Sequence, residues 1–225
     1  MYLYILLAIV TLLLGLGSQA YIKRTYAKWS GVPNAAHITG AQAARAMLDR
    51  NGLHDVQILR NGQGALSDFY DPRKRTLNLS DESFDGTSVA SIAVACHEAG
   101  HAVQHAKNYA GIKMREAILP LAQIGSQLWI FVLMAGFFLQ ILNLVWAGVI
   151  LFAATVLFQI VTLPVEFDAS KRAIQSIEGT VALPPEQDAG ARQMLKSAAF
   201  TYVAAALSSI LTLLYYVSLA NSSRD

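Results

Sequence analysis

A single cysteine, Cys96, stands in a chain of 225 residues, so no disulfide can close within it, which suits a reducing compartment. Lodged between alanine and histidine, that thiol reads as a small buried filler rather than a nucleophile. Charge is equally scarce: Asp, Glu, Lys and Arg make up 14% of the sequence and hydrophobic residues 54%. Soluble globular domains carry about 25% charged residues, and a chain this poor in them cannot coat its apolar side chains with a polar surface. An ordinary soluble protein is thereby excluded. The net charge of +2 identifies no charged partner, and the 17 basic residues are not clustered enough for a nucleic-acid face.

Long uncharged runs are what the sequence does have. They are "YLYILLAIVTLLLGLG" (2–17), "LWIFVLMAGFFLQILNLVWAGVILFAATVLFQIVTLPV" (128–165) and "AAFTYVAAALSSILTLLYYVSLA" (198–220). A spanning helix needs about 20 apolar residues, so the middle run, with Asn143 near its centre, is long enough for a hairpin if it begins near Ile118. Four transmembrane helices result. The first run could instead be a secretory signal, since "GSQA" before Tyr21 has the small residues of a cleavage site. Yet "MYLYI" lacks the positive start of such a signal, and Lys23, Arg24 and Lys28 follow the run, as in a retained anchor with its N-terminus outside. Of the 17 Lys and Arg, 12 lie between Lys23 and Arg115 and four between Lys171 and Lys196. The positive-inside rule places both segments in the cytoplasm.

The chain then divides into a first span (1–21), a polar segment (22–115), a hairpin of spans (116–165), a helical cytoplasmic segment (166–196) and a last span (197–220). The fold class is a membrane α-helical protein of about four transmembrane helices, with a small α+β domain inserted between helices 1 and 2. Within that domain "HITGAQAARAMLDRNGL" predicts an amphipathic helix capped by Thr39 and stopped near Gly52. Segments 55–60, 65–70 and 76–80, separated by "NGQG" and "DPRK", predict a three-stranded meander. An apolar helix begins near Thr87 or Ser88. Residues 166–179 predict a further helix ending at Gly179, and Pro185 suits the first turn of a last helix that continues into the membrane.

Inside the apolar helix lies "HEAGH". His97 and His101, four residues apart, share one helix face about 6 Å apart along the axis, so both imidazoles can reach one zinc ion. Glu98, beside the first, can take a proton from water activated by that ion and deliver it to a leaving amine. Three ionisable groups in an apolar run would be costly without a partner, and a metal supplies one. A structural pair of core histidines is the plainer alternative.

A catalytic zinc usually has three protein ligands. His105 is another four residues on, but each such step rotates by roughly 40°, and three side chains in that series do not easily surround one ion. Lys107 occupies the position of the third histidine in the metzincin spacing. Glu166 and Asp168, in "LPVEFDASKRA", are better placed, because two spans return the chain to the face it left at His101. A solvated carboxylate at a membrane boundary is the equal reading of Glu166, and Pro164 is expected to disturb the helix just before it.

Taken together, "FYDPRKRTLNLS", "SVASIAVACHEAGHAVQHA", "LPVEFDASKRA" and "AAFTYVAAALSSI" resemble the YugP-like membrane zinc metallopeptidases of bacteria, over most of the chain. The resemblance implies a zincin-like metallopeptidase domain in a multi-pass protein of the bacterial inner membrane, with His97, His101 and Glu166 binding one Zn2+ and Glu98 as the base. A more distant likeness is to the HtpX-type membrane metallopeptidases, in which an aspartate stands four residues after the later glutamate. Ser170 stands there in this chain, so Asp168 is the expected carboxylate behind a ligand histidine.

The expected activity is zinc-dependent endopeptidase hydrolysis without a covalent intermediate, on a peptide or membrane-protein substrate within or beside the lipid bilayer. "TLNLS" has strand character, and as an exposed edge it could pair with an extended peptide; as an internal strand it could not. Two rivals stand beside this reading. One is a site-2-type intramembrane protease, although its later Asp-Gly ligand motif is absent. The other is a non-catalytic zinc-binding scaffold, which has no need of Glu98. An N/O donor set also accepts manganese or cobalt.

Overall fold

The computed structural model describes residues 2–222. Helix α1 (Tyr2–Ser30) is followed by α2 (Gly40–Arg50), strands β1 (Gln57–Arg60), β2 (Phe69–Asp71) and β3 (Thr76–Leu79), a short α3 (Asp81–Phe84), α4 (Val89–Ala106), α5 (Ala110–Phe138), α6 (Leu142–Thr180) and α7 (Pro185–Ser222). Four of these, α1, α5, α6 and α7, are long and apolar enough to cross a membrane. They outlast the apolar runs that predict them, because nothing breaks a helix where hydropathy falls. Thus α1 continues past residue 21 to Ser30, and stops only before Gly31 and Pro33.

The contacts divide into two units. One gathers Ala110–Pro164 with α1 up to Ser18 and α7 from Thr201. Its helices approach closely at glycines: a Cβ on Gly148 would lie 2.7 Å from the backbone N of Leu133, and one on Gly125 would lie 2.4 Å from the carbonyl O of Leu151. Small residues at such contacts are how membrane helices pack without a hydrophobic force between them. Around Trp129, rings cluster with centroids 4.4 Å from Phe152 and 5.4 Å from Tyr216. The turn from α5 to α6 is made by Leu139–Ile141, with Gln140 in the left-handed region at φ 55°. Asn143 lies in the first turn of α6.

The other unit gathers Gln19–Tyr109 with Val165–Phe200. Its core joins Met47, Leu48, Leu77, Leu79 and Ile92 to Ile177 and Met194, so residues from beyond the hairpin complete the core of the segment before it. Thr39 caps α2 as expected, accepting from the Gln42 N–H at 3.1 Å while its own N–H donates to Gln42 Oε1 at 2.8 Å. Gly40 allows α2 to lie against its neighbours, since a Cβ there would meet the Ser83 carbonyl oxygen at 2.2 Å.

The sheet is not a meander. Its order is β1-β3-β2, with β1 parallel and β2 antiparallel to β3. Burial decides this: Leu77 and Leu79 of β3 are fully enclosed, whereas β1 is mostly exposed and carries Gln57 and Arg60. The apolar strand takes the centre and polar strands take the edges, where open hydrogen-bonding groups meet solvent. "TLNL" is therefore internal, the second of its two readings, and offers no open edge.

A second expectation fails at Pro164. Helix α6 runs through it unbroken, as α5 runs through Pro120. A proline removes one backbone hydrogen bond from a helix, and long membrane helices tolerate that loss. Glu166 accordingly projects from a continuous helix and not from a turn.

Candidate metal centre

Ser88 starts α4 by accepting from the Ser91 N–H at 3.0 Å, and the helix is then enclosed through Cys96. Burial pushes the Cys96 thiol up to about 12. Iodoacetamide at pH 8 is therefore expected to modify Cys96 only after denaturation, and mass spectrometry showing alkylation of the folded chain would overturn this.

Gly100 sets the approach of α6. A Cβ there would lie 2.8 Å from the carbonyl oxygen and 3.2 Å from the Cα of Ala169. With no side chain between the backbones, Glu166 and Ser170, which flank Ala169 on α6, reach the histidines of α4. Gly100→Ala is expected to cost about 1–3 kcal/mol through overpacking and to lower the thermal midpoint by several degrees. An unchanged midpoint in detergent would show that the two helices part without penalty.

The approach brings three of the expected residues together. His97 Nε2 lies 3.3 Å and His101 Nε2 3.6 Å from Glu166 Oε2, and Glu166 is 2% exposed. Two imidazoles and a carboxylate are a zinc donor set, and donors bound at 2.0–2.1 Å around a tetrahedral ion stand about 3.3–3.4 Å apart. The residues fit the ion. Glu98 is half-buried on the same helix. Burial pushes its carboxyl above the usual carboxylate range, with the imidazoles of His101 and His97 pulling the other way.

The remaining candidates fall elsewhere. His105 lies outside the cluster, its ring 5.5 Å from that of Tyr70. Asp168 touches neither imidazole; it accepts from Gln104 Nε2 at 2.8 Å and from Arg172 Nε at 2.6 Å. Ser170, whose identity raised the need for a substitute, is itself 3.2 Å from His97 Nδ1. Gln104 supplies what sequence reasoning missed: it is fully buried, and its Oε1 lies 3.0 Å from His101 Nδ1. A polar residue three positions after the second histidine, in an otherwise apolar "AVQ", was the available signal.

Two histidines on one helix, joined by a glutamate from a later helix in a chain with four membrane-length helices, define the class of membrane HExxH zinc proteins. The chain belongs to the family described as "Putative neutral zinc metallopeptidase", whose model matches residues 4–221. It is 41% identical over 223 residues, 99% of each chain, to the "Putative membrane protease YugP" of Bacillus subtilis (strain 168). No solved structure matches the chain.

Proposed function

We propose that this chain is a membrane-embedded zinc-dependent endopeptidase, with His97, His101 and Glu166 holding one ion and Glu98 acting as the base. The observation that carries the reading is the convergence of the three donors beside a carboxylate on the same helix. When bound there, zinc polarises a scissile carbonyl and lowers the pKa of water. Glu98 takes a proton from the attacking water and passes it to the leaving amine as the C–N bond breaks, so the products are a carboxylate and an amine and no bond to the chain forms. Burial raises the Glu98 carboxyl above the usual carboxylate range, the direction that favours accepting a proton from water.

The substrate is a peptide or a membrane-protein segment. With β3 internal, β2 is the edge strand packed near α4, and an extended chain paired with Phe69–Asp71 would lie beside the α4 helix. The basic residues of the two segments around the centre support a cytoplasmic catalytic side in a multi-pass inner-membrane protein. Helix α4 is not among the helices long and apolar enough to span, which favours cleavage outside the bilayer core over the intramembrane alternative.

The test is cleavage of an unfolded protein substrate by the full chain reconstituted in vesicles. A chelator is expected to abolish it and added zinc to restore it; cleavage that survives complete metal removal would sink the reading.

A further inference from the structure

Gln104 is the residue that the catalytic reading leaves unused. It sits on α4, the helix that carries both histidines, and bonds across to α6; it is fully buried, and all of its side-chain hydrogen-bonding groups have definite partners. Both hydrogens of its Nε2 are taken by acceptors, the carbonyl oxygen of Val165 at 2.8 Å and Asp168 Oδ2 at 2.8 Å. Neither a carbonyl nor a carboxylate oxygen can donate in return, and Arg172 Nε, 2.6 Å from Asp168 Oδ2, fixes that carboxylate in place. The amide therefore has one orientation. Flipping it would set its oxygen against a carbonyl and a carboxylate in a buried site, losing two hydrogen bonds and adding two repulsions.

That orientation points Gln104 Oε1 at His101 Nδ1, 3.0 Å away. An amide oxygen only accepts, so the imidazole nitrogen facing it must carry the proton. Nε2 faces Glu166 Oε2 at 3.6 Å, so a cation held between them would take the lone pair that the Gln104 contact leaves on that nitrogen; without a cation the carboxylate competes for the proton.

We propose that Gln104 is a positioning residue that fixes the tautomer of His101 for metal binding, and that Asp168, anchored by Arg172, acts on the site only by holding the Gln104 amide in its one competent orientation. The two histidines are thus held by different means. Ser170 Oγ meets His97 Nδ1 at 3.2 Å, but a hydroxyl rotates to donate or accept and imposes no tautomer. His101 is locked, whereas His97 is only tethered. Nothing about an aspartate behind a histidine predicts this, because a carboxylate in direct contact would need no orientation of its own.

The inference rests on the metal-site reading of His97, His101 and Glu166, and its test separates the two. The full chain, labelled with 15N-histidine and solubilised in detergent, is compared as wild type, Gln104→Leu and the double variant Gln104→Glu with Asp168→Asn. In the double variant the donor moves to position 168 and a carboxylate oxygen at 104 still accepts from His101, while the Val165 carbonyl loses its donor, so recovery is partial. Two quantities are read: zinc affinity by chelator competition, and, in metal-free protein with Glu166→Ala added so that no carboxylate faces Nε2, which nitrogen of the neutral His101 ring carries the proton.

With Gln104 in place and the competing carboxylate removed, the proton is expected on Nδ1. Gln104→Leu is expected to bind zinc 10–100-fold more weakly, the usual loss when the partner behind a ligand histidine is removed, and to shift the His101 proton towards Nε2. The double variant is expected to recover both properties in part, which a merely structural role for Gln104 would not produce. Unchanged affinity in Gln104→Leu, or a His101 proton that stays on Nδ1 there, would overturn the inference, as would a double variant no better than Gln104→Leu. If wild type binds no zinc while the tautomer still follows Gln104, the lock stands and the metallopeptidase reading falls.

Discussion

Glu98→Gln is expected to keep about one zinc per chain and to lose peptide hydrolysis by roughly 10²–10⁴-fold, the usual contribution of a positioned acid–base group. The ligand atoms of His97, His101 and Glu166 lie within 4.8 Å of one another, a cluster to which Glu98 does not belong, so its replacement leaves the donor set untouched. Glutamine preserves the volume and the hydrogen-bonding capacity of the side chain but cannot carry a proton from water to an amine. It also removes a half-buried carboxyl whose charge desolvation disfavours, so the folded protein should be no less stable than wild type. Metal content by atomic emission and turnover on one substrate check the two halves separately. Loss of zinc in this variant would make Glu98 part of the binding site, and full activity would remove it from the chemistry.

Glu166→Ala has the opposite profile: zinc affinity is expected to fall by more than about 100-fold, beyond the loss that removing an outer partner causes, and activity to disappear with it. In the folded chain Glu166 Oε2 lies 3.3 Å from His97 Nε2 and 3.6 Å from His101 Nε2. Removing it leaves two donors for an ion that requires three, and leaves His97 and His101 facing each other with ring centroids 4.9 Å apart and nothing between them. His105→Ala is the control, because that ring stacks near Tyr70 and stands outside the cluster. If His105→Ala lost the metal while Glu166→Ala kept it, the ligand set would have to be redrawn along α4.

Several features were legible in the linear sequence because their causes are local. Thr39 and Ser88 cap their helices through contacts made within three residues, and His97 and His101 share a face by helical periodicity alone. The four long helices follow from runs of side chains that water does not accommodate. The strand order was not legible, because spacing between short apolar segments does not say which of them pairs in the middle. That choice fell to β3 when the core closed over Leu77 and Leu79. Pro164 misled for a related reason: its local preference against helix was overridden by the long helix on either side of it.

The sequence by itself determined a membrane-type chain, a helix bearing two metal-type donors with a glutamate beside them, and the carboxylates that could complete the set, since each depends on residue type and short-range spacing. Only the tertiary structure decided that Glu166 meets both imidazoles, that Asp168 reaches His101 only through Gln104, and that Ser170 attends His97. These depend on how closely α6 approaches α4 and in what register. Packing at Gly100 and Ala169, residues far apart in the chain, sets both.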